Sequence, residues 1–424
     1  MDYLGGLIGY NAEQLSITNC NANVHIVSGD SFVGGLIGCS NKQLAMNNCY
    51  AHLDLAGGNP NLKGYNIGGL IGYCAYSSIK DCYANSSQVN GSDYIGGLIG
   101  YNAKQLSISN CSAKVEITSG HSFVGGLIGC CNDQLAMNNC HANTDQISGN
   151  TNKSGNKVGG LIGYSKGVIT KSSSTYGLIS AGNYTGGLLG EVAGGLITQC
   201  YANSTVAGKS NTGGLVGGLS GTLNTISNCY VMGRVSGRFG TGGLIGHAAT
   251  NGTISKSYSA CNVTSSGNAI GAFVGYRDIS IANCYYLKSG FYQQNEIGNT
   301  GMTSLTEDEM KSENNFVGFD FSEIWDIHEG ECYPFLREIE NNIPDSPTKN
   351  ETLTNGKKPF YSFMTGNLLH IKGLSLGKPF AIYNLQGQAI YSGFISSEIQ
   401  NITLPAKGIY IITSEEYSIK VVYR

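Results

Sequence analysis

The stretch that decides the fold is Asp2-Tyr-Leu-Gly-Gly-Leu-Ile-Gly-Tyr10, which returns as Asp93-Tyr-Ile-Gly-Gly-Leu-Ile-Gly-Tyr101. Its centre is a glycine pair, two apolar residues and a third glycine. The pair recurs at Gly5-Gly6, Gly34-Gly35, Gly68-Gly69, Gly96-Gly97, Gly125-Gly126, Gly159-Gly160, Gly186-Gly187, Gly213-Gly214 and Gly242-Gly243, with a worn copy at Gly271. Gly9 and Gly38 close the first two copies. Spacings of 27 to 34 residues fall in the window of solenoids and propellers. Coils 1–3 are nearly copied in coils 4–6 at an offset of 91 residues, as duplication of a three-coil block would produce.

A second landmark follows each pair by 13 to 16 residues, as in Asn-Cys20-Asn-Ala, Asn-Cys49-Tyr-Ala and Asp-Cys82-Tyr-Ala. It continues at Cys111, Cys140, Cys200, Cys229 and Cys284, with serine at Ser172 and Ser257. A third apolar strand comes next, carrying Val24 and Ile26 in the first coil and Val115 and Ile117 in the fourth. Three short strands per period suit one turn of a parallel β-helix, whereas a propeller blade takes four strands and ~40 residues or more. The expected fold is therefore all-β: a right-handed parallel β-helix of about ten coils, roughly 45–50 Å long at ~4.8 Å per rung. Alternation along Asn-Cys-Tyr-Ala turns cysteine and alanine inward and tyrosine outward. Glycines at the corners are expected to supply positive φ or close approach of neighbouring backbones.

Composition agrees with an elongated β protein. Of 424 residues 62 are glycine and 26 tyrosine, and only 12% are charged. A formal net charge of −3 gives no basic footprint for nucleic acid, and no apolar run approaches the ~20 residues of a membrane-spanning helix. With no leader before the first repeat, the chain is expected to be a fragment of a longer protein.

Gly-Gly-Leu-Ile-Gly followed by Asn-Cys-Tyr-Ala resembles the GLUG-motif repeats of bacterial surface and secreted proteins, among them adhesin-like proteins and IgA-specific metallopeptidases. The resemblance covers roughly residues 1–290 and implies location and shape more than chemistry.

After Cys284 the pattern breaks. Thr306-Glu-Asp-Glu309 reads as a capping box, and the aromatics Phe316, Phe319, Phe321, Trp325, Tyr333 and Phe335 make residues 291–340 an expected plug over the open end of the solenoid. Polar residues with Pro344 and Pro347 make 341–359 a linker. Six or seven alternating strands over 360–424 predict a small Ig-like β-sandwich. Within it, Phe380-Ala-Ile-Tyr-Asn-Leu-Gln-Gly-Gln388 and Leu404-Pro-Ala-Lys-Gly-Ile-Tyr410 resemble the C-terminal sorting domain of type IX secretion substrates in Bacteroidetes. Gly387, Gly408, Tyr410 and Lys420 fall on its recognisable positions. The resemblance implies contact with that secretion machinery and a secreted or outer-surface location.

Chemistry is sparse. Fourteen cysteines invite a disulfide reading, but one thiol per coil in parallel register does not supply the dihedral a bridge prefers, so unpaired buried thiols are expected. Cys39, Cys74, Cys130 and Cys131 sit off the ladder, where pairing stays open. No Cys-x-x-Cys occurs and the seven histidines are scattered, so neither zinc nor another cofactor is expected. Five residues after the ladder cysteine stand His25, Asp54, Glu116 and Asp145. Glu116 and Asp145, on successive coils, are the one pair with the ~5 Å spacing of a retaining glycosidase. The tyrosines Tyr50, Tyr83, Tyr201, Tyr230 and Tyr285 form an expected outward stripe suited to glycan or protein contact. The resulting expectation is an exported, non-catalytic, adhesin-like protein binding host or neighbouring-cell glycan or protein. Its rivals are a polysaccharide lyase or glycoside hydrolase on a β-helix, and the stalk of a larger surface peptidase.

Overall fold

Glycine doublets that stack directly on one another define the molecule. In the computed structural model Gly5 pairs with Gly34, Gly34 with Gly68, Gly68 with Gly96 and Gly96 with Gly125, always in parallel. The same register runs on through Gly159, Gly186, Gly213, Gly242 and Gly271. The structure describes the whole chain except residues 1, 27–30, 56–64, 120, 144–145, 150–155, 250–251, 278, 291–300, 340–360, 366–367, 373–376, 385–387, 397–398, 407, 415–417 and 424. It divides into two units, Met1–Pro347 and Thr348–Arg424.

The first unit is a parallel β-solenoid with three sheets. A glycine sheet holds one short strand per coil, from Leu4–Gly5 to Ile270–Gly271. A second sheet carries the long strands such as Ile37–Asn47, and the cysteine sheet carries strands such as Tyr50–Leu55 and Tyr230–Gly237. Leu36, Leu70, Leu98 and Leu127 fill the interior beside Ile37, Ile71, Ile99 and Ile128, with the ladder cysteines and alanines opposite them, as the alternation required.

Positive φ is not what the doublets supply. Gly34 and Gly35 lack it; instead a methyl on Gly34 would overlap the Ile37 carbonyl, and one on Gly35 the Gly69 carbonyl and the Ala51 side chain. Left-handed backbone falls on the residue before each ladder position, with φ of 54° at Asn19, 51° at Asn48 and 51° at Asn228. Asparagine tolerates this region better than other non-glycine residues. The side chains there stack outside the coil: Asn48 donates to Asn19 Oδ1 at 2.7 Å, Asn110 to Asp81 at 2.9 Å and Asn139 to Asn110 at 3.1 Å.

The ladder cysteines are more than small filler. Each thiol donates to the carbonyl two residues earlier, as Cys82 to Lys80 at 3.1 Å and Cys229 to Ser227 at 3.2 Å. The sulfur or oxygen also accepts from the backbone of the coil before: Cys82 N–H to Cys111 Sγ at 3.4 Å, Cys140 N–H to Ser172 Oγ at 3.1 Å, and Cys229 N–H to Ser257 Oγ at 3.1 Å. A corner that breaks the strand ladder orphans these groups, so the position needs a small side chain that both donates and accepts. Cysteine and serine meet that need. None of the fourteen cysteines is in a disulfide, Cys39, Cys74, Cys130 and Cys131 included.

The segment after coil 10 departs from the expected plug. Met302–Leu305 does add one parallel rung to Cys284–Leu287 at the end of the cysteine sheet. Thr306 and Glu309 make the reciprocal capping contacts at 2.8 and 3.3 Å, opening only a 3-10 turn, Glu309–Lys311. From there the chain runs back along the outer flank of the cysteine sheet as a strap. Gly318 packs on Asn283 of coil 10, Trp325 reaches Asn228 of coil 8, and Glu338 ion-pairs with Lys171 of coil 6. The plug covers a side because the side is where apolar surface lies: Tyr201, Tyr230, Met232, Tyr258, Ala260, Tyr285 and Leu287 face outward there and form one cluster with Met310, Phe316, Phe319, Trp325 and Tyr333.

The second unit has two antiparallel sheets, one of three strands and one of four. Leu369, Ile371, Phe380, Ile382, Leu404, Tyr410 and Ile412, drawn from both, share one core. The expected linker 341–359 lies outside the described residues.

Candidate functional site

The tyrosine stripe points outward, but it is not one exposed stripe. Tyr201, Tyr230 and Tyr285 are buried beneath the strap, together with Tyr258, which sequence reading passed over because serine precedes it. Their rings stack rung on rung, Tyr201 to Tyr230 at 5.0 Å and Tyr230 to Tyr258 at 5.1 Å. Trp325 lies across the last pair, 6.0 and 5.9 Å from the two ring centres, and its Nε1–H donates to Asn228 Oδ1 at 3.3 Å. Tyr258 donates to the Pro334 carbonyl at 2.6 Å and Tyr285 to that of Val317 at 3.1 Å. Burial pushes the Tyr230 and Tyr258 phenols well above their ordinary range. Only Tyr50 and Tyr83 stay half exposed, stacked at 5.4 Å with planes 9° apart.

A larger aromatic surface lies on another edge and was not read from the sequence. Two columns interdigitate there. One is the position two residues before each doublet, the other the position after its third glycine. Tyr3 contacts Tyr10 at 4.9 Å and Phe32 at 5.0 Å, and Phe32 meets Tyr73 at 5.7 Å. Tyr73 meets Tyr101 at 5.6 Å, Tyr101 meets Tyr94 at 4.9 Å, Tyr94 meets Phe123 at 4.8 Å, and Phe123 meets Tyr164 at 6.0 Å. Eight rings thus run unbroken along coils 1–6, all partly exposed. The first column is bent into left-handed backbone, with φ of 54° at Phe32 and 60° at Tyr94 and Phe123. Bulky residues adopt that region at a cost, so the ring positions are held by the surrounding coils.

The stack ends in charge. Lys157 Nζ sits 4.2 Å from the Tyr164 ring centre and 5.1 Å from that of Phe123, and pairs with Glu191 at 2.7 Å. Glu191, nearly buried, also accepts from Ser220 at 2.6 Å. Along the column burial raises the phenol of Tyr101 to about 12, with Cys130 adding to the effect. Its hydroxyl is therefore a donor throughout the physiological range. Apolar faces and edges with hydroxyl tips, arrayed at rung spacing, can contact sugars or the side chains of another protein.

The other candidates form no assembled site among the described residues. Glu116 is half buried on its strand, but Asp145 lies outside the described residues. The pairings on either side of it are Lys114 opposite Asn143 and Ile117 opposite Ile147. His25 lies opposite Asp54 on the neighbouring coil. Among the described residues no group of three His, Cys, Asp or Glu could hold a metal. In the second unit Gly387 lies outside the described residues, Gly408 is exposed, and Lys420 pairs through its backbone with Ile411. Tyr410 is buried and donates to the Ala406 carbonyl at 2.7 Å.

This geometry defines a parallel β-solenoid protein with an aromatic stack along one edge. Residues 91–118, the fourth coil, match the family model described as the GLUG motif. Among solved structures the chain resembles one titled as that of "a putative immunoglobulin A1 protease from Bacteroides ovatus", at 20% identity and a TM-score of 0.40, covering 70% of this chain and 86% of that one. The search of curated proteins gives no match. No helix among the described residues is long and apolar enough to cross a membrane.

Proposed function

We propose that this chain is an exported, non-catalytic, adhesin-like rod that holds glycan or protein of a host or neighbouring cell, displayed at the outer cell surface or released from it. The observation that carries this reading is the eight-ring stack along coils 1–6. A stable core has no use for rings kept half in water, with Phe32, Tyr94 and Phe123 at strained backbone angles, whereas a contact surface does. The GLUG match at residues 91–118 supports a surface setting. The low charge of the chain as a whole favours neutral partners over polyanions.

The second unit serves, in this proposal, as the type IX sorting signal. Two sheets around one core, with Tyr410 tied back to Ala406, are what a Greek-key sandwich of that kind uses. The test of the main claim is binding of the purified chain to a panel of neutral glycans and to host-type cells. Replacing Tyr73, Tyr94 and Tyr101 together by alanine should lower binding at least tenfold while the melting profile keeps its shape. Unchanged binding by that variant, or depolymerisation of any glycan on the panel by the wild-type chain, would overturn it.

A further inference from the structure

The strap shows what the outer flank of the cysteine sheet accepts, and the same fitting is present, uncovered, six coils earlier. Under the strap the receiving unit is a stacked tyrosine pair, Tyr230 and Tyr258, with Asn228 at the corner. Trp325 lies over both rings and donates its indole N–H to Asn228 Oδ1. In coils 2 and 3 the equivalent unit is Tyr50 and Tyr83 with Asn48. The ring separation is 5.4 Å against 5.1 Å, the planes are 9° apart against 11°, and both asparagines hold φ at 51°.

Asn48 is also poised as an acceptor. Its amide nitrogen donates to Asn19, while the residue above it in the corner column is Asp81, whose carboxylate has no hydrogen to give Asn48 Oδ1. The half-exposed tyrosine pair and that oxygen therefore reproduce what the solenoid offers Trp325, two stacked rings and an acceptor; Phe319 and Arg337, its other partners, belong to the strap itself. From this continuity we infer that Tyr50, Tyr83 and Asn48 form a docking shelf for a tryptophan-bearing segment, of the strap's own chemistry, on a partner polypeptide.

The floor of the shelf sets its strength. Three residues beyond each ladder position the covered zone has Met232, Ala260 and Leu287, all buried, whereas the open zone has His52 and Asn85. A guest on the open shelf gains the rings and the hydrogen bond without the apolar floor. Binding there is reversible, in the micromolar range rather than the nanomolar, about −8 kcal/mol or weaker.

The probe is a fluorescein-labelled peptide of residues 313–339, titrated into the full chain and read by anisotropy. Saturable binding is expected, weakened at least tenfold by Tyr50→Ala with Tyr83→Ala, and at least tenfold by Trp→Ala at position 325 of the peptide. Asn48→Asp retains an acceptor and should bind within threefold of wild type; Asn48→Leu should lose binding without loss of fold. Absence of saturable binding up to about 1 mM, a millimolar Kd being near −4 kcal/mol, would overturn the inference. So would binding that the tyrosine variants leave unchanged, which would place the peptide at its own site by strap exchange. Glycan binding through the eight-ring stack is a separate readout, so either proposal can fail without the other.

Discussion

Coils 2–3 and coils 8–9 carry the same words, Asn-Cys-Tyr in each first coil, yet one pair of tyrosines is surface and the other is core. Tyr50 and Tyr83 are half exposed, whereas Tyr230 and Tyr258 are 1% and 0% exposed. The coil itself is the same in both places, down to the φ of the corner asparagine. What differs is the column two residues beyond the tyrosine, polar in one zone and apolar in the other, and the strap that the apolar column recruits. A solenoid can thus write one motif ten times and choose, by a neighbouring column, where it presents a surface and where it seals one.

The comparison can be broken most violently at the element common to both zones. Gly97→Val would drive its side chain into the Gly126 carbonyl and into Val115 and Ala113. Backbone is what it strikes, so the coil cannot relax, and a loss above ~4 kcal/mol is expected. Circular dichroism during urea titration should show a large downward shift of the midpoint or no cooperative transition at all. Wild-type-like unfolding would mean the doublets do not stack.

Trp325→Ala comes next. Removing a fully buried indole should cost about 3–5 kcal/mol, confined to the strap and coils 7–10. Limited proteolysis should then cut within 301–339 first, leaving coils 1–5 protected, while Tyr50→Ala should cost less than about 1 kcal/mol. Equal costs would erase the distinction between the zones.

Alkali offers a third handle. Burial, with the neighbouring Cys74 adding, raises the Cys39 thiol from 9.0 to about 11, and burial raises Cys284 from 9.0 to about 12. The unfolded chain ionises first, so these groups contribute stability that is complete below pH ~9 and lost progressively as pH climbs to about 11–12. The buried phenols extend the loss above pH ~10. Melting temperature measured from pH 7 to 11 should fall only beyond pH ~9. A flat profile would contradict thiols and phenols held neutral in the core.

The smallest effect separates chemistry from size at the ladder. Cys111→Ser keeps a donor and an acceptor and should change stability by less than about 1 kcal/mol. Cys111→Ala orphans the Cys82 N–H and should cost about 1–3 kcal/mol, read from denaturation midpoints. Equal costs would reduce the cysteine to filler.

The solenoid was legible because its signals repeat: doublet on doublet and cysteine on cysteine impose one register and leave little to chance. The eight-ring stack was not, because it is shared between two columns. The position before the doublet reads Tyr3, Phe32, Asn66, Tyr94 and Phe123, and the one after it Tyr10, Cys39, Tyr73, Tyr101 and Cys130. Neither is regular alone, and only folding makes a ring in one fill the gap in the other. The strap was placed at the end rather than on the flank because its contacts are long-range in sequence, Trp325 reaching back 97 residues to Asn228. Met232, Ala260 and Leu287, apolar on an outward position, were the sign that something covers that face. Glu116 and Asp145 pair by counting, and Asp145 lies outside the described residues.

Tyrosine modification followed by mass spectrometry tests the division between the zones most directly. On the native chain treated with tetranitromethane, Tyr50 and Tyr83 should be nitrated while Tyr201, Tyr230, Tyr258 and Tyr285 stay unmodified until the chain unfolds. Nitration of Tyr230 and Tyr258 at the rate of Tyr50 in the folded protein would show that no strap covers them.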